Sequence, residues 1–268
     1  MNKELELFKN NILKSKHKKV HSFHKFVDFA GESFVSCKKN PHIKNVFDFV
    51  FSGRQYNLKQ SKQNIVRKCN VAQALIKQNK SAIINNISNK ISNKYCILTH
   101  GNTAFLIDAF KKAKFENKKF DVFITDSPFS ELGIFFSKNL RKSGIQHFFV
   151  PIAGIKPILK KIDFFIFSAE AVSPDALIGE LGVELIAELA HSKGLPVYAV
   201  SSSWNVHNKI EVEDLKHISS QKLKGTHSFS GHYFEKITPS FVSGIISEKG
   251  VHSHPVFIDI VNRERKNY

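Results

Sequence analysis

Four apolar runs end in short polar clusters whose side chains could do chemistry. Thr99, His100, Gly101 and Asn102 close the run that starts at Cys96. If a helix starts there, its free backbone N–H groups would hold a phosphate or carboxylate, with Gly101 allowing close approach. The plainer alternative is a strand-to-helix turn capped by Asn102 or Thr103. Asp126 and Ser127 end a second run, just before Pro128, and Glu170 ends a third, Phe164 to Ala169. Two carboxylates on one sheet edge would serve as acid and base if one pKa were raised, and a helix cap is the competing role for Asp126. Ser201, Ser202 and Ser203 close a fourth run without the Gly-x-Ser-x-Gly elbow that a serine nucleophile needs. His227, His232, His252 and His254 have no carboxylate or cysteine at ligand spacing, so no metal site is expected. No Gly-x-Gly-x-x-Gly follows a strand and no P-loop occurs, which argues against a dinucleotide or nucleoside triphosphate; no cofactor is expected.

These clusters need a scaffold that brings strand ends together. The stretch Ile162–Ser202 supplies its centre as a βαβ unit. Phe164–Ala169 is an apolar run, and a turn follows at Ser173, Pro174 and Asp175. A helix is expected over Leu181–His191, with Leu181, Leu185, Ile186 and Leu189 on one face, and Pro196–Val200 is the second run. Continuous apolar runs joined by a helical crossover indicate parallel strands buried on both faces. Ligands of such sheets bind at the carboxyl ends of the strands, where all four clusters lie.

Around this unit the chain alternates regularly. Strands are expected at Cys96–Thr99, Phe120–Thr125 and His147–Val150, and helices at Ala104–Lys114, Glu131–Lys142 and Ile155–Lys161. The fold class is therefore α/β, a small helical amino-terminal domain followed by a doubly wound, mostly parallel Rossmann-like sheet. Residues 1–92 read as the basic helical domain and 93–268 as the α/β domain. Leu5, Phe8, Ile12 and Leu13, then Ile65, Cys69, Ala72 and Ile76, recur at helical spacing, whereas Ser36–Ser61 gives no single assignment. Beyond Val200 the pattern reads as a long loop, Trp204–Gly231, with one helical turn near Val212–Ile218. A last helix is expected over Ser240–Glu248 and an extended apolar tail over Pro255–Val261.

Composition bounds the class. A chain of 268 residues, 42% hydrophobic and 24% charged, can bury a full core. No apolar stretch approaches the roughly 20 residues that cross a bilayer, and the amphipathic start is unlike a signal peptide, so a soluble, cytoplasmic protein without membrane contact is expected. Three dispersed cysteines, Cys37, Cys69 and Cys96, fit a reducing compartment. The net charge is +17. Residues 1–80 hold 17 Lys or Arg against 5 Asp or Glu, a net +12, and the remaining 23 against 18 give +5. A basic amino-terminal part suits an acidic partner such as RNA, although scattered lysines in a Lys- and Asn-rich chain are also an ordinary solvated face.

The ordered landmarks resemble a known family. Ile97-Leu98-Thr99-His100-Gly101-Asn102, Ile124-Thr125-Asp126-Ser127-Pro128, Phe167-Ser168-Ala169-Glu170-Ala171-Val172, Gly182 with Leu195-Pro196-Val197-Tyr198, and Thr238-Pro239-Ser240 with Glu248-Lys249-Gly250 carry the likeness. Together they are similar to the family of the alpha, beta and delta regulatory subunits of translation initiation factor 2B, methylthioribose-1-phosphate isomerase and ribose-1,5-bisphosphate isomerase. The closing run and Val150-Pro151-Ile152-Ala153 look most like the delta subunit.

Departures from the isomerases matter most. By resemblance, those enzymes carry a catalytic Cys at the place of Gly101 and a catalytic Asp at the place of Glu170. An Asn-Lys pair stands near the phosphate where this chain has Gly179 and Glu180, and an Arg is expected where Pro128 follows Asp126 and Ser127. A carboxylate a few ångströms from a phosphate dianion costs kilocalories rather than tenths. The resemblance thus implies no catalytic residues, a vestigial ligand pocket at Thr99, His100, Gly101, Asn102, Asp126, Glu170 and Glu180, and a regulatory or scaffold subunit of a guanine-nucleotide exchange complex acting on initiation factor 2. Implied partners are sibling subunits or a second copy, initiation factor 2, and RNA through the basic amino-terminal part. Trp204 with Pro255, Val256, Phe257 and Ile258 is the expected subunit contact, an aromatic beside an apolar segment. The alternative is a sensor or divergent isomerase that binds a sugar phosphate or nucleotide at the strand ends.

Overall fold

The computed structural model describes residues 2–38, 41–101, 104–126, 132–208, 217–222 and 228–266. The chain forms two compact units that divide between Asn79 and Lys80.

The amino-terminal unit is helical. Helix α1 (Asn2–Lys14) buries Leu5, Phe8 and Ile12, and α2 (Val20–Lys38) buries Phe23 and Val27. The unassigned segment contains α3 (Pro41–Phe51), whose Ile43, Val46, Phe47 and Val50 fall at i, i+3, i+4 and i+7 and are buried. The rings of Phe8 and Phe47 meet edge to face at 5.0 Å. Helix α4 (Leu58–Lys90) starts where Asn57 Oδ1 accepts from the Lys59 and Gln60 N–H groups. It buries Ile65, Cys69 and Ala72 in this unit, and burial pushes the Cys69 thiol up to about 12, so it is inert. Asn85, Asn86, Ser88 and Asn89 are weak helix formers, yet α4 continues through them to Lys90, because Ile83 and Ile87 bury in the core of the second unit.

That unit is built on strands β1 (Tyr95–His100), β2 (Phe120–Thr125), β3 (His147–Phe149) and β4 (Phe164–Ser168). Helix α5 (Ala104–Phe115) joins β1 to β2, α6 (Leu132–Lys142) joins β2 to β3, and the short α7 (Ile155–Ile158) precedes β4. Strands β5 (Ala171–Val172) and β6 (Leu177–Glu180) follow, then α8 (Val183–His191) and β7 (Val197–Val200). The last part holds a hairpin of β8 (His217–Lys222) and β9 (Ser228–His232), then β10 (Phe234–Ile237), β11 (Gly244–Ser247), β12 (Gly250–His252) and α9 (His254–Arg265). The main sheet has the order β12-β11-β7-β4-β1-β2-β3, and every pair is parallel except β11 with β12. Strands β10, β6 and β5 form a separate antiparallel sheet.

Both faces of the main sheet are covered, as unbroken apolar strands require. Phe165, Phe167, Val197, Ala199 and Ile245 join one core with Val183, Ile186 and Phe257. Phe164, Ile166, Val122, Ile124 and Ile246 join another with Ile87, Phe110 and Phe136. The register Phe165↔Val197 to Ser168↔Val200 establishes the central parallel pair.

Three expectations are corrected. Ser240–Glu248 is not a helix: after a 3-10 turn at Pro239–Phe241, Gly244–Ser247 is a buried strand paired with Tyr198–Val200. Pro255–Val261 is not an extended tail but lies in α9; Pro255 occupies its first turn, where the missing N–H is harmless, and Phe257, Ile258 and Val261 bury at i, i+1 and i+4. Within α8 the buried residues are Val183, Ile186, Ala187 and Ala190, while Leu185 is exposed; Leu181 precedes the helix, its N–H donating to Tyr233 O. The helical turn expected near Val212–Ile218 falls mostly outside the described residues, and His217 and Ile218 themselves are in β8.

Candidate functional site at the carboxyl edge of the sheet

The sheet order turns at β1, with β2 and β3 on one side and β4, β7 and β11 on the other. The crevice at the ends of β1 and β4 is therefore the usual ligand position of such a sheet. Thr99, His100 and Gly101 stand at the end of β1, Asp126 at the end of β2, Glu170 beyond β4, and Glu180 closes β6. Asn102 lies outside the described residues, as do Ser127 and Pro128.

His100 is buried and held at both ring nitrogens. Nε2 lies 3.0 Å from Leu181 O, an acceptor only, so Nε2 carries the proton. Nδ1 then accepts from the Thr125 hydroxyl at 2.8 Å, which takes that proton away from the longer 3.2 Å contact with Thr99 O. Burial drives the His100 pKa down to about 4 against the opposing pull of the Leu181 carbonyl, so the ring is neutral at pH 7. It is a strut between β1, β2 and the approach to α8. Gly182, at φ +107, permits that approach, since a Cβ there would press on the His100 ring and Ile152.

Gly101 has φ +64 and donates its N–H to Thr125 O at 3.0 Å. A Cβ at this position would overlap the Glu180 carboxylate, so the space beside Gly101 is occupied by Glu180. The Tyr233 hydroxyl donates to Glu180 Oε1 at 3.1 Å. Gly101→Ala is expected to lose about 1–2 kcal/mol from the left-handed backbone alone, readable as a lower urea midpoint with an unchanged slope. An unchanged midpoint would show that the loop relaxes.

Asp126 takes the capping role: its Oδ2 accepts from the Gly133 N–H at 2.9 Å, in the first turn of α6. Burial raises the Glu170 carboxyl above the usual carboxylate range. Ser201 donates its hydroxyl to Ala169 O at 3.1 Å, and the Ser203 N–H and hydroxyl bond to the Glu248 carboxylate, so these serines tie strand ends together. His252 and His254 direct Nε2 to the carbonyls of Lys249 and Ser173, at 2.9 and 2.8 Å. No group of three His, Cys, Asp or Glu suited to a metal occurs among the described residues.

One important residue was missed from sequence. Glu235, on β10, points Oε1 at the first turn of α8, accepting from the N–H groups of Gly182 and Glu184, each at 2.8 Å. An α-helix start whose free N–H groups could cradle an anion thus holds a carboxylate of its own chain. Glu184 answers by accepting from Thr238 N and Oγ1, at 3.0 and 2.8 Å. The signal available was the short alternating run Phe234–Ile237, obscured by the polar stretch before it.

A crevice at the turning point of a parallel sheet, entered by a Thr-His-Gly strand end and fronted by α8, can be compared with known families. The initiation factor 2 subunit family model matches residues 2–254. The chain belongs to this family. Ribose 1,5-bisphosphate isomerase of Methanocaldococcus jannaschii is 24% identical over 258 residues, covering 91% of this chain and 82% of that one. The Pyrococcus horikoshii translation initiation factor eIF-2B superposes with a TM-score of 0.80 at 17% identity, covering 96% of this chain and 91% of its own. A chain of the tetrameric eIF2B-beta2-delta2 complex from C. thermophilum gives 0.77 at 17% identity, covering 98% and 87%. At these identities the family members share the fold, helical amino-terminal part included.

The expected subunit contact needs correction within this family fold. Phe257 and Ile258 are buried in the core of their own unit, so they cannot also face a partner. Pro255 and Val256 are exposed. Trp204 is half-buried in a 3-10 turn whose Ser203 carbonyl accepts from Arg265 of α9 at 2.9 Å. No helix among the described residues is long and apolar enough to cross a membrane.

Proposed function

We propose that the protein is a non-catalytic regulatory or scaffold subunit of an initiation factor 2B-like guanine-nucleotide exchange complex, acting on initiation factor 2. The observation that carries this reading is the state of the crevice. Where the resemblance puts the isomerases' thiol, Gly101 offers no side chain and the Glu180 carboxylate fills the space. His100 is neutral and committed at both nitrogens, so it is poorly placed to shuttle a proton. Glu235 occupies the α8 N-terminus, and with Glu180 it would repel a phosphate dianion. Sibling subunits or a second copy are the proposed partners, and the beta-delta complex among the structural neighbours supports that choice. In this reading the amino-terminal lysines, including Lys14, Lys16, Lys18 and Lys19, face initiation factor 2 or RNA.

The isomerase relative supplies the competing reading, a sugar-phosphate enzyme or sensor. Native mass spectrometry of tagged protein from its own source should show it with other initiation factor 2B subunits or with initiation factor 2. Pure protein should not turn over ribose-1,5-bisphosphate. Turnover of that substrate, or a self-dimer stabilised by sugar phosphates and free of sibling subunits, would replace the proposal with the competing one.

A further inference from the structure

The opposite, amino-terminal edge of the main sheet carries an open cavity of about 600 Å³ between the last turns of α5 and α6 and the starts of β2 and β3. Its lining includes Lys114, Lys118, Lys119, Arg141 and His147, with Asp121 as the one carboxylate. Four cations against one carboxylate leave +3. Lysines at helix C-termini have an ordinary explanation, because each helix end presents about −0.5 of a charge. Two helices account for about −1, so an excess of positive charge remains. Lys118 pairs with Glu116 at 3.1 Å, a carboxylate it shares with Lys112, and donates to the Ser88 carbonyl at 2.8 Å. Lys114, Lys119 and Arg141 are exposed and have no ion pair among the described residues. The positive strip continues along the sheet edge, since Lys94, just before β1, donates its backbone N–H to Lys119 O at 2.6 Å.

The cations are accompanied by an unburied aromatic. Phe115 follows Lys114 at the end of α5, outside the cavity lining itself, and is 88% exposed; an exposed ring near unpaired cations is how sequence-tolerant single-strand sites are built, since cations follow phosphates and the ring stacks a base. We propose that this groove binds single-stranded RNA through its phosphate backbone, with Phe115 stacking a base. An acidic protein segment would use the same cations and have little use for the ring.

The test is fluorescence anisotropy of the full chain with labelled oligouridylate across a salt series. Triple neutralisation K114Q/K119Q/R141Q should weaken binding by about tenfold or more near 0.1 M salt and flatten the log K against log salt slope by about 2, three contacts at roughly 0.7 each. F115A should weaken RNA binding several-fold and leave its salt slope unchanged. Parallel neutralisation of Lys14, Lys16, Lys18 and Lys19 separates any contribution of the amino-terminal unit, and thermal melts check that each variant folds. Retained affinity and slope in the triple variant would overturn the proposal. So would polyglutamate competing as well as RNA with no response to F115A, which would assign the groove to an acidic protein.

Discussion

Phe257→Ala is expected to destabilise the protein by about 3–5 kcal/mol, lowering the denaturant midpoint and leaving any subunit contact formed by the surviving fold intact. The Phe257 ring is fully buried among Phe167, Ala199, Ile245 and their neighbours on the core face of the sheet. Truncation there removes both the transfer free energy of the ring and the contacts of everything that surrounded it. Val256→Ala, one position along on the exposed side of α9, is the companion measurement. It should leave stability within about 0.5 kcal/mol and is the substitution able to report on a partner. If Phe257→Ala instead left the monomer stable and dissolved an oligomer, Phe257 would belong to the expected subunit contact rather than to the core.

How α9 escaped sequence reading shows what the chain does and does not announce. Strands β1, β2, β3, β4 and β7 are legible because each is a short, unbroken apolar run bounded by turn residues, and helices of clear period lie between them. Gly244–Ser247 reads as helix because Val242, Ile245 and Ile246 also satisfy a helical i, i+3, i+4 spacing. Pairing with β7 decides between the two, and pairing is a tertiary fact. Pro255 opens a run that reads as an extended apolar tail, although its first-turn position suits a helix start. At the crevice, Gly101, Asp126 and Glu170 were identifiable from their places after apolar runs. Glu180 enters through the resemblance alone, and Tyr233 and Glu235 are not legible, because Glu235 lies on β10 of the small antiparallel sheet and Tyr233 just before it, and those strands are too short to carry a period.

Glu235 is where this hidden part of the site becomes measurable. Glu235→Ala would leave the N–H groups of Gly182 and Glu184 without their acceptor at a half-buried helix start, and a loss of about 2 kcal/mol at pH 7 is expected from unfolding in urea. Glu235→Gln keeps a carbonyl oxygen at the same place and should behave differently. In the wild type, burial raises the Glu235 carboxyl, with the Glu184 carboxylate adding to the rise, and this outweighs the backbone N–H groups that favour the anion. A carboxyl whose folded pKa lies above its unfolded value contributes stability in full below the unfolded pKa, and loses that contribution as pH rises through the folded value. The wild type should therefore lose stability relative to Glu235→Gln as pH rises from about 4 towards neutrality, while Glu235→Ala stays below both. If the glutamine variant fell with the alanine variant at pH 7, the charge itself would be holding α8. The crevice would then be a site that demands an anion, and the chain's own carboxylate would be standing in for a ligand.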